Sequence, residues 1–168
     1  MTIIINNTNL SAPVRNALEK ADRAVNGNDS LSRSELIELA DTLRSMQCEG
    51  WDEMKYLYLA AKPYFTHCSN CIRETLMDLG KNLHKLITED ASSGITPHHL
   101  DRVRKLLVVL WNAKTLKDIE AAHCHRLHQY ARKYKRPTYA VNVSAQWRLV
   151  FEFDPNKGVT KVDYVNYH

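Results

Sequence analysis

No apolar run in this sequence approaches the roughly 18 residues that a membrane-spanning helix needs, which argues against an integral membrane protein. The stretch Met1-Thr2-Ile3-Ile4-Ile5-Asn6-Asn7 has neither the basic n-region nor the longer apolar core of a signal peptide. These absences predict a cytoplasmic protein with no membrane partner. Cysteine is scarce: Cys48, Cys68, Cys71 and Cys124 are the four present. Without an export signal they are not expected to form a disulfide framework. Cys68-Ser69-Asn70-Cys71, with His67 beside it, has the spacing of half a zinc site. A structural zinc takes four ligands, usually as two such pairs, and no second C-x-x-C or H-x-x-x-H occurs. The expectation is therefore no metal and no cofactor.

The charge that is present is unevenly placed. Residues 97–168 carry 13 Lys and Arg against 6 Asp and Glu, and residues 1–96 carry 10 against 13. Six of the eight histidines also lie in the C-terminal part. A basic segment of this kind attracts polyanions, and nucleic acid is the commonest. Charge alone is equally consistent with a solvated basic surface.

The first half reads as helical. Ser11, Pro13 in the first turn, and the face Val14, Leu18, Ala21, Val25 predict a helix ending near Gly27. Ser32-Arg33-Ser34-Glu35 is a capping box, opening a helix with the stripe Leu36, Leu39, Leu43, Met46. Trp51, Met54, Leu57, Tyr58 and Ala61 predict a third helix that stops at Pro63. A fourth is expected over 72–88, from Leu76, Leu79, Leu83 and Leu86, although Ile72 to Leu76 reads equally well as a strand. Thr96-Pro97 begins a helix whose stripe is Leu100, Val103, Leu107 and Leu110. After residue 119 the period changes to two. Tyr139, Val141 and Val143 alternate with Ala140, Asn142 and Ser144, and Trp147, Leu149, Phe151 and Phe153 alternate with Arg148, Val150 and Glu152. The turn Asp154-Pro155-Asn156-Lys157-Gly158 leads to a last strand, 159–168. Successive strand residues point to opposite faces. If Trp147, Leu149, Phe151 and Phe153 form the core, Arg148 faces away from it.

Cutting RNA without a metal requires few groups. The ribose 2′-hydroxyl attacks the adjacent phosphorus, a base takes its proton, an acid protonates the leaving 5′-oxygen, and cations stabilise the phosphorane. Histidine suits the proton transfers and arginine suits the phosphate. The C-terminal part supplies these types. His123, His125 and His128 lie beside Arg126. Arg132, Lys133, Lys135 and Arg136 are interleaved with Tyr130, Tyr134 and Tyr139. Arg148 leaves the strand on the non-core side, and Tyr167 and His168 close the sequence. Each residue alone is an ordinary surface side chain; the set suggests a phosphate-handling surface.

Three ordered motifs carry a resemblance. They are Arg126-Leu127-His128, the stretch from Tyr139 to Phe153 reading Y-A-V-N-V-S-A-Q-W-R-L-V-F-E-F, and Val162-Asp163-Tyr164-Val165-Asn166-Tyr167-His168. Together they resemble the HigB branch of the RelE-type toxins. The resemblance implies an α+β fold: a RelE-like domain over 72–168, with helices on a small, mainly antiparallel sheet, after a helical extension over 1–66. It implies a type II toxin, an endoribonuclease that cleaves mRNA on the ribosome and blocks translation. Its partners would be an antitoxin, typically a helix-turn-helix protein, and operator DNA through the antitoxin complex. Matched by motif, His128 would be an acid/base group, Arg148 would hold the scissile phosphate, and Tyr167 and His168 would orient RNA and share the proton transfers. Arg126, Arg132, Lys133, Lys135 and Arg136 would bind phosphates.

The sequence departs from the family in two ways: family members begin close to Ile72, so the helical region before it is extra, and the motif lysine is missing. That lysine, three residues after the motif histidine, is replaced by Ala131, so efficient cleavage would need Arg132 or Lys133 to supply its charge. Tyr167 and His168 are adjacent, so a regular strand would send them to opposite faces. The alternative reading is a catalytically weakened RelE fold that binds RNA, ribosomes or DNA as a regulator. A further one is a structural protein whose basic face docks on an acidic partner. The acidic balance of the N-terminal part raises the possibility of a cover for the basic face in cis.

Overall fold

The computed structural model describes residues 10–26, 31–66, 77–122, 126–130 and 138–167. The chain divides into two compact units, Met1–Leu76 and Met77–His168. The expectations for Val25's side chain, Gly27, Cys68, Cys71, Cys124 and the stretch Ile72–Leu76 lie outside what is described.

The first unit is helical: α1 Ala12–Asn26, α2 Arg33–Ser45 and α3 Trp51–Thr66. Most of the stripes read from sequence form its core, with Val14, Leu18, Ala21, Leu39, Leu43, Met54, Leu57, Tyr58 and Ala61 buried and Leu36, Met46 and Trp51 half-buried. The capping box is complete, since Ser32 accepts from the Glu35 amide and Glu35 accepts from the Ser32 amide. Helix α3 does not stop at Pro63 but continues to Thr66. A proline so near the end forfeits one backbone N–H donor, and the last turn survives that loss.

Glu53, in the first turn of α3, ties this unit together. Its carboxylate accepts the Ser11 amide at 2.6 Å and the Glu49 amide at 2.8 Å. Burial opposes its ionisation, but these hydrogen bonds outweigh burial and hold the carboxyl below its ordinary value. Glu53→Ala leaves two amides without their acceptor, at an expected cost of about 1–3 kcal/mol. Because the folded-state value is depressed, the stability that Glu53 contributes is present above the unfolded-state value and is lost as pH falls through the folded one. Urea unfolding at pH 7 and pH 3 should therefore show the wild type and the alanine variant converging in acid.

The second unit begins with β1 Asp78–Leu79, followed by α4 Lys81–Glu89, a 3₁₀ turn Pro97–His99, α5 Leu100–Asn112 and α6 Leu116–Ala121. Strands β2 His128–Tyr130, β3 Thr138–Asn142, β4 Trp147–Asp154 and β5 Gly158–Asn166 complete it. The sheet order is β1-β5-β4-β3-β2, with β1 parallel to β5 and the other pairs antiparallel. The chain is thus α+β, a mixed sheet with helices after a helical N-terminal unit. Of the helix expected over 72–88, the described part from Met77 is helical only from Lys81. Leu79 is drawn into β1, and the Gly80 amide continues the pairing by donating to the Val162 carbonyl at 2.8 Å. A Cβ at Gly80 would overlap the carboxylate of exposed Asp163, which would have to swing aside for any larger residue.

Directly opposed residues share a face, which sorts the sheet into two sides. One side carries Val141, Leu149, Phe151, Val162 and Tyr164, all buried. Helices lie on it: His99, at the start of α5, meets the rings of Trp147 and Tyr164, and α4 and α5 both contact β5. The core expectation for β4 is correct at Leu149 and Phe151 but not at its ends. Trp147 is half-buried, and Phe153 departs because a register shift between Glu152 and Phe153 turns the strand. The other side carries His128, Ala140, Val150 and Asp163 in one row and Asn142, Arg148 and Val165 in the next.

Candidate functional site

Arg148 does face away from the helix-covered side, as the alternation of β4 requires. Its Nη1 donates to the Ser144 carbonyl at 2.6 Å and the Trp147 carbonyl at 3.0 Å, and Nη2 donates to the Ala145 carbonyl at 3.2 Å. Ser144 and Ala145 belong to the turn between β3 and β4, and Trp147 is the first residue of β4. The guanidinium therefore braces the turn from which its own strand starts, a role invisible in the sequence pattern. Its Cζ lies 5.1 Å from the centre of the Tyr167 ring, a cation–π distance. Tyr167 is 54% exposed, and its amide donates to the Gln146 carbonyl at 2.8 Å, so the chain just past β5 is pinned to the same turn. Arg148 and Tyr167 are thus brought together, with the Tyr167 ring on the Arg148 side. His168 lies outside the described residues.

His128 opens β2 on the same side of the sheet. Its register partner is Ala140, two residues before the Asn142 that faces Arg148. Two strand spacings of about 4.8 Å and a two-residue rise of about 6.8 Å put the His128 and Arg148 backbones roughly 12 Å apart. His128 Nδ1 lies 2.8 Å from the Arg126 carbonyl. A carbonyl only accepts, so Nδ1 carries the hydrogen, and in the neutral ring Nε2 is left as an acceptor. Arg126 supplies that carbonyl from a left-handed backbone, φ 62°. A glycine adopts this conformation freely and a β-branched residue does not. Arg126→Gly should leave stability within about 0.5 kcal/mol and Arg126→Val should lose about 1–2 kcal/mol, read by thermal unfolding.

The remaining basic candidates Arg132, Lys133, Lys135 and Arg136, with Ala131, His123 and His125, lie outside the described residues. The Arg126 side chain is exposed. Sequence reasoning missed Asn142, which sits beside Arg148, and Arg102, whose Nε donates to the Asn142 carbonyl at 3.2 Å. Asn142 could have been found by carrying the strand alternation across the turn; Arg102 could not, because helix and strand are 40 residues apart. Sequence reasoning also missed the aromatic support behind the site. Trp147 stacks on Tyr164 with ring centres 4.4 Å apart, and His99 Nδ1 is 2.7 Å from the Tyr164 hydroxyl.

Further along the same side lies a shallow cavity of about 260 Å³ whose lining includes Asp78, Glu152, Lys161 and Asp163 over a Val150 floor. Lys161 pairs with Glu152 at 3.3 Å. Three carboxylates against one ammonium repel a phosphate chain, so for an anion the face around Arg148 and the His128 end of its row are the more favourable surface. Among the described residues no three His, Cys, Asp or Glu side chains cluster as metal ligands, and no helix is long and apolar enough to cross a membrane.

Residues 77–168 match the family described as HigB-like toxin, a RelE-like toxin of type II toxin-antitoxin system HigB. The chain belongs to this family. No curated protein matches it. The HigB-like match spans the second unit, including β1, both site rows and Tyr167, and leaves out the three-helix unit. Membership makes the protein a type II toxin-antitoxin toxin by family and implies an antitoxin partner.

Proposed function

We propose that the protein is a cytoplasmic endoribonuclease that cleaves mRNA on the ribosome by acid/base catalysis without a metal, and so inhibits translation. The observation that carries this reading is the juxtaposition of Arg148 and Tyr167 on the sheet side that also bears His128. In the proposed reaction His128 Nε2 takes the proton of the ribose 2′-hydroxyl as that oxygen attacks phosphorus. Arg148 stabilises the charge on the phosphorane. Tyr167 orients the RNA, and His168 gives the proton to the departing 5′-oxygen. The products are a 2′,3′-cyclic phosphate and a 5′-hydroxyl. Arg126, Arg132, Lys133, Lys135 and Arg136 hold flanking phosphates, and a helix-turn-helix antitoxin neutralises the toxin and carries the complex to operator DNA.

A second reading is favoured by one observation: the Nη groups of Arg148 are already bonded to three backbone carbonyls, those of Ser144, Ala145 and Trp147. On that reading the protein binds RNA or ribosomes as a regulator and cuts little. Controlled expression of the full chain, with 5′ ends mapped on translating ribosomes, separates the two. Cleavage within ribosome-bound mRNA supports the enzyme. Salt-dependent RNA binding with intact mRNA supports the regulator and rejects the enzyme.

A further inference from the structure

We infer that Asn142 is a positioning residue for Arg148: it accepts the Arg148 Nε–H when the guanidinium leaves the turn carbonyls and takes the scissile phosphate. This rests on the RNA-cleaving reading of the site. The Val143 amide donates to the Trp147 carbonyl at 2.9 Å, so Val143 and Trp147 are a hydrogen-bonded pair. Asn142 and Arg148, the next pair in register, are then of the non-hydrogen-bonded kind, in which opposed side chains approach most closely. Asn142 Oδ1 is a buried acceptor with no partner, and Arg148 Nε is a buried donor with no partner, among the described residues. An acceptor and a donor therefore stand unmatched on adjacent side chains of one face, and buried polar groups are ordinarily matched.

The rest of the geometry says when they would meet. The Arg148 Nη groups are engaged by Ser144, Ala145 and Trp147 carbonyls, which hold the fork toward the turn. A phosphate competes for those Nη hydrogens because a charge-assisted bidentate bond is stronger than a bond to a neutral carbonyl. Once the fork turns outward, Nε–H, which has no acceptor while the Nη groups hold the turn, can be brought to one. Asn142 Oδ1 is beside it, on a backbone fixed by Arg102 at 3.2 Å. With Nε taken, both Nη groups face the phosphate end-on. Asn142 touches neither phosphorus nor the moving protons and acts only through Arg148.

The test is a double-mutant cycle in the full-length chain, reading cleavage rates on ribosome-bound mRNA at saturating and limiting protein. Asn142→Ala is expected to lower the saturated rate about tenfold, with the half-saturating concentration changed less than twofold. Asn142→Asp, which keeps an acceptor, should retain most of the rate, whereas Asn142→Leu, of similar size, should not. This pair decides the matter even if alanine unfolds the strand. In an Arg148→Lys background, which has no Nε, Asn142→Ala should cost nothing further. The inference is overturned if Asn142→Ala stays within twofold of wild type while Arg148→Ala abolishes cleavage. It is also overturned if the tenfold loss persists in the Arg148→Lys background. A wild-type chain that cleaves nothing overturns the parent reading instead, and this inference with it.

Discussion

Arg148→Ala is expected to lower mRNA cleavage by the full-length chain about 10²–10³-fold, the usual consequence of removing one preorganised donor from a developing oxyanion. The same substitution should also loosen the fold, because three bonds to backbone carbonyls at the β3–β4 turn and the start of β4, and the contact with Tyr167, disappear. Side chain–backbone bonds of this kind contribute about 0.5–1.5 kcal/mol each, more when the donor is charged. The two losses separate with Arg148→Lys. Lysine keeps the charge and can donate to turn carbonyls, but it has no planar fork. It should preserve the melting temperature and the salt dependence of RNA binding while recovering little of the rate. If lysine restored cleavage fully, Arg148 would be a brace and a point charge, and its assignment to the phosphorane would fail.

Much of this arrangement was legible because its determinants are local. The Ser32–Glu35 box, the stripe Val14–Leu18–Ala21 and the alternation around Arg148 each need only neighbouring residues, and each is present in the fold. What escaped was set by partners far away in sequence. Two residues, Asp78 and Leu79, form a strand only because β5 offers its edge. Phe153 leaves the core pattern because of a bulge that alternation cannot foresee. Helix α6, opened by a second capping box from Thr115 to Asp118, is only six residues long, too short for a periodicity to declare itself. Of the candidate site, types and faces were readable, but the bonding state of Arg148 was not. Its acceptors are carbonyls, which every residue has, so nothing in the side-chain pattern marks them.

The site also has a division of labour that follows from the two sheet faces. Behind β4, Trp147, Tyr164 and His99 form a connected aromatic group anchored to the helix side. In front, Arg148, Asn142 and Tyr167 occupy the same strand ends. A rigid back and a polar front is the arrangement by which a scaffold holds reacting groups to within fractions of an ångström. It also explains why the turn 143–146 is held by side chains as well as backbone: Ser144 Oγ accepts from the Trp147 amide at 3.3 Å, and Arg148 closes the other side.

His128→Ala should reduce cleavage about 10²–10⁴-fold, the range for loss of a positioned acid/base group, while leaving affinity for RNA nearly unchanged. The prediction follows from the hydrogen bond to the Arg126 carbonyl, which fixes the proton on Nδ1 and leaves Nε2 as the acceptor. His128→Asn sharpens it. The asparagine amide can reproduce the donation to Arg126, and with it the local strand geometry, but it is no base at neutral pH. Its rate should therefore fall as far as that of alanine, with stability kept. Affinity is read with an oligonucleotide lacking the 2′-hydroxyl at the cleaved position, which removes the nucleophile and leaves the phosphates. A rate recovered by asparagine would mean that His128 only shapes β2. An affinity lost in parallel with the rate would make it a binding residue. Either result would move the general base to another residue.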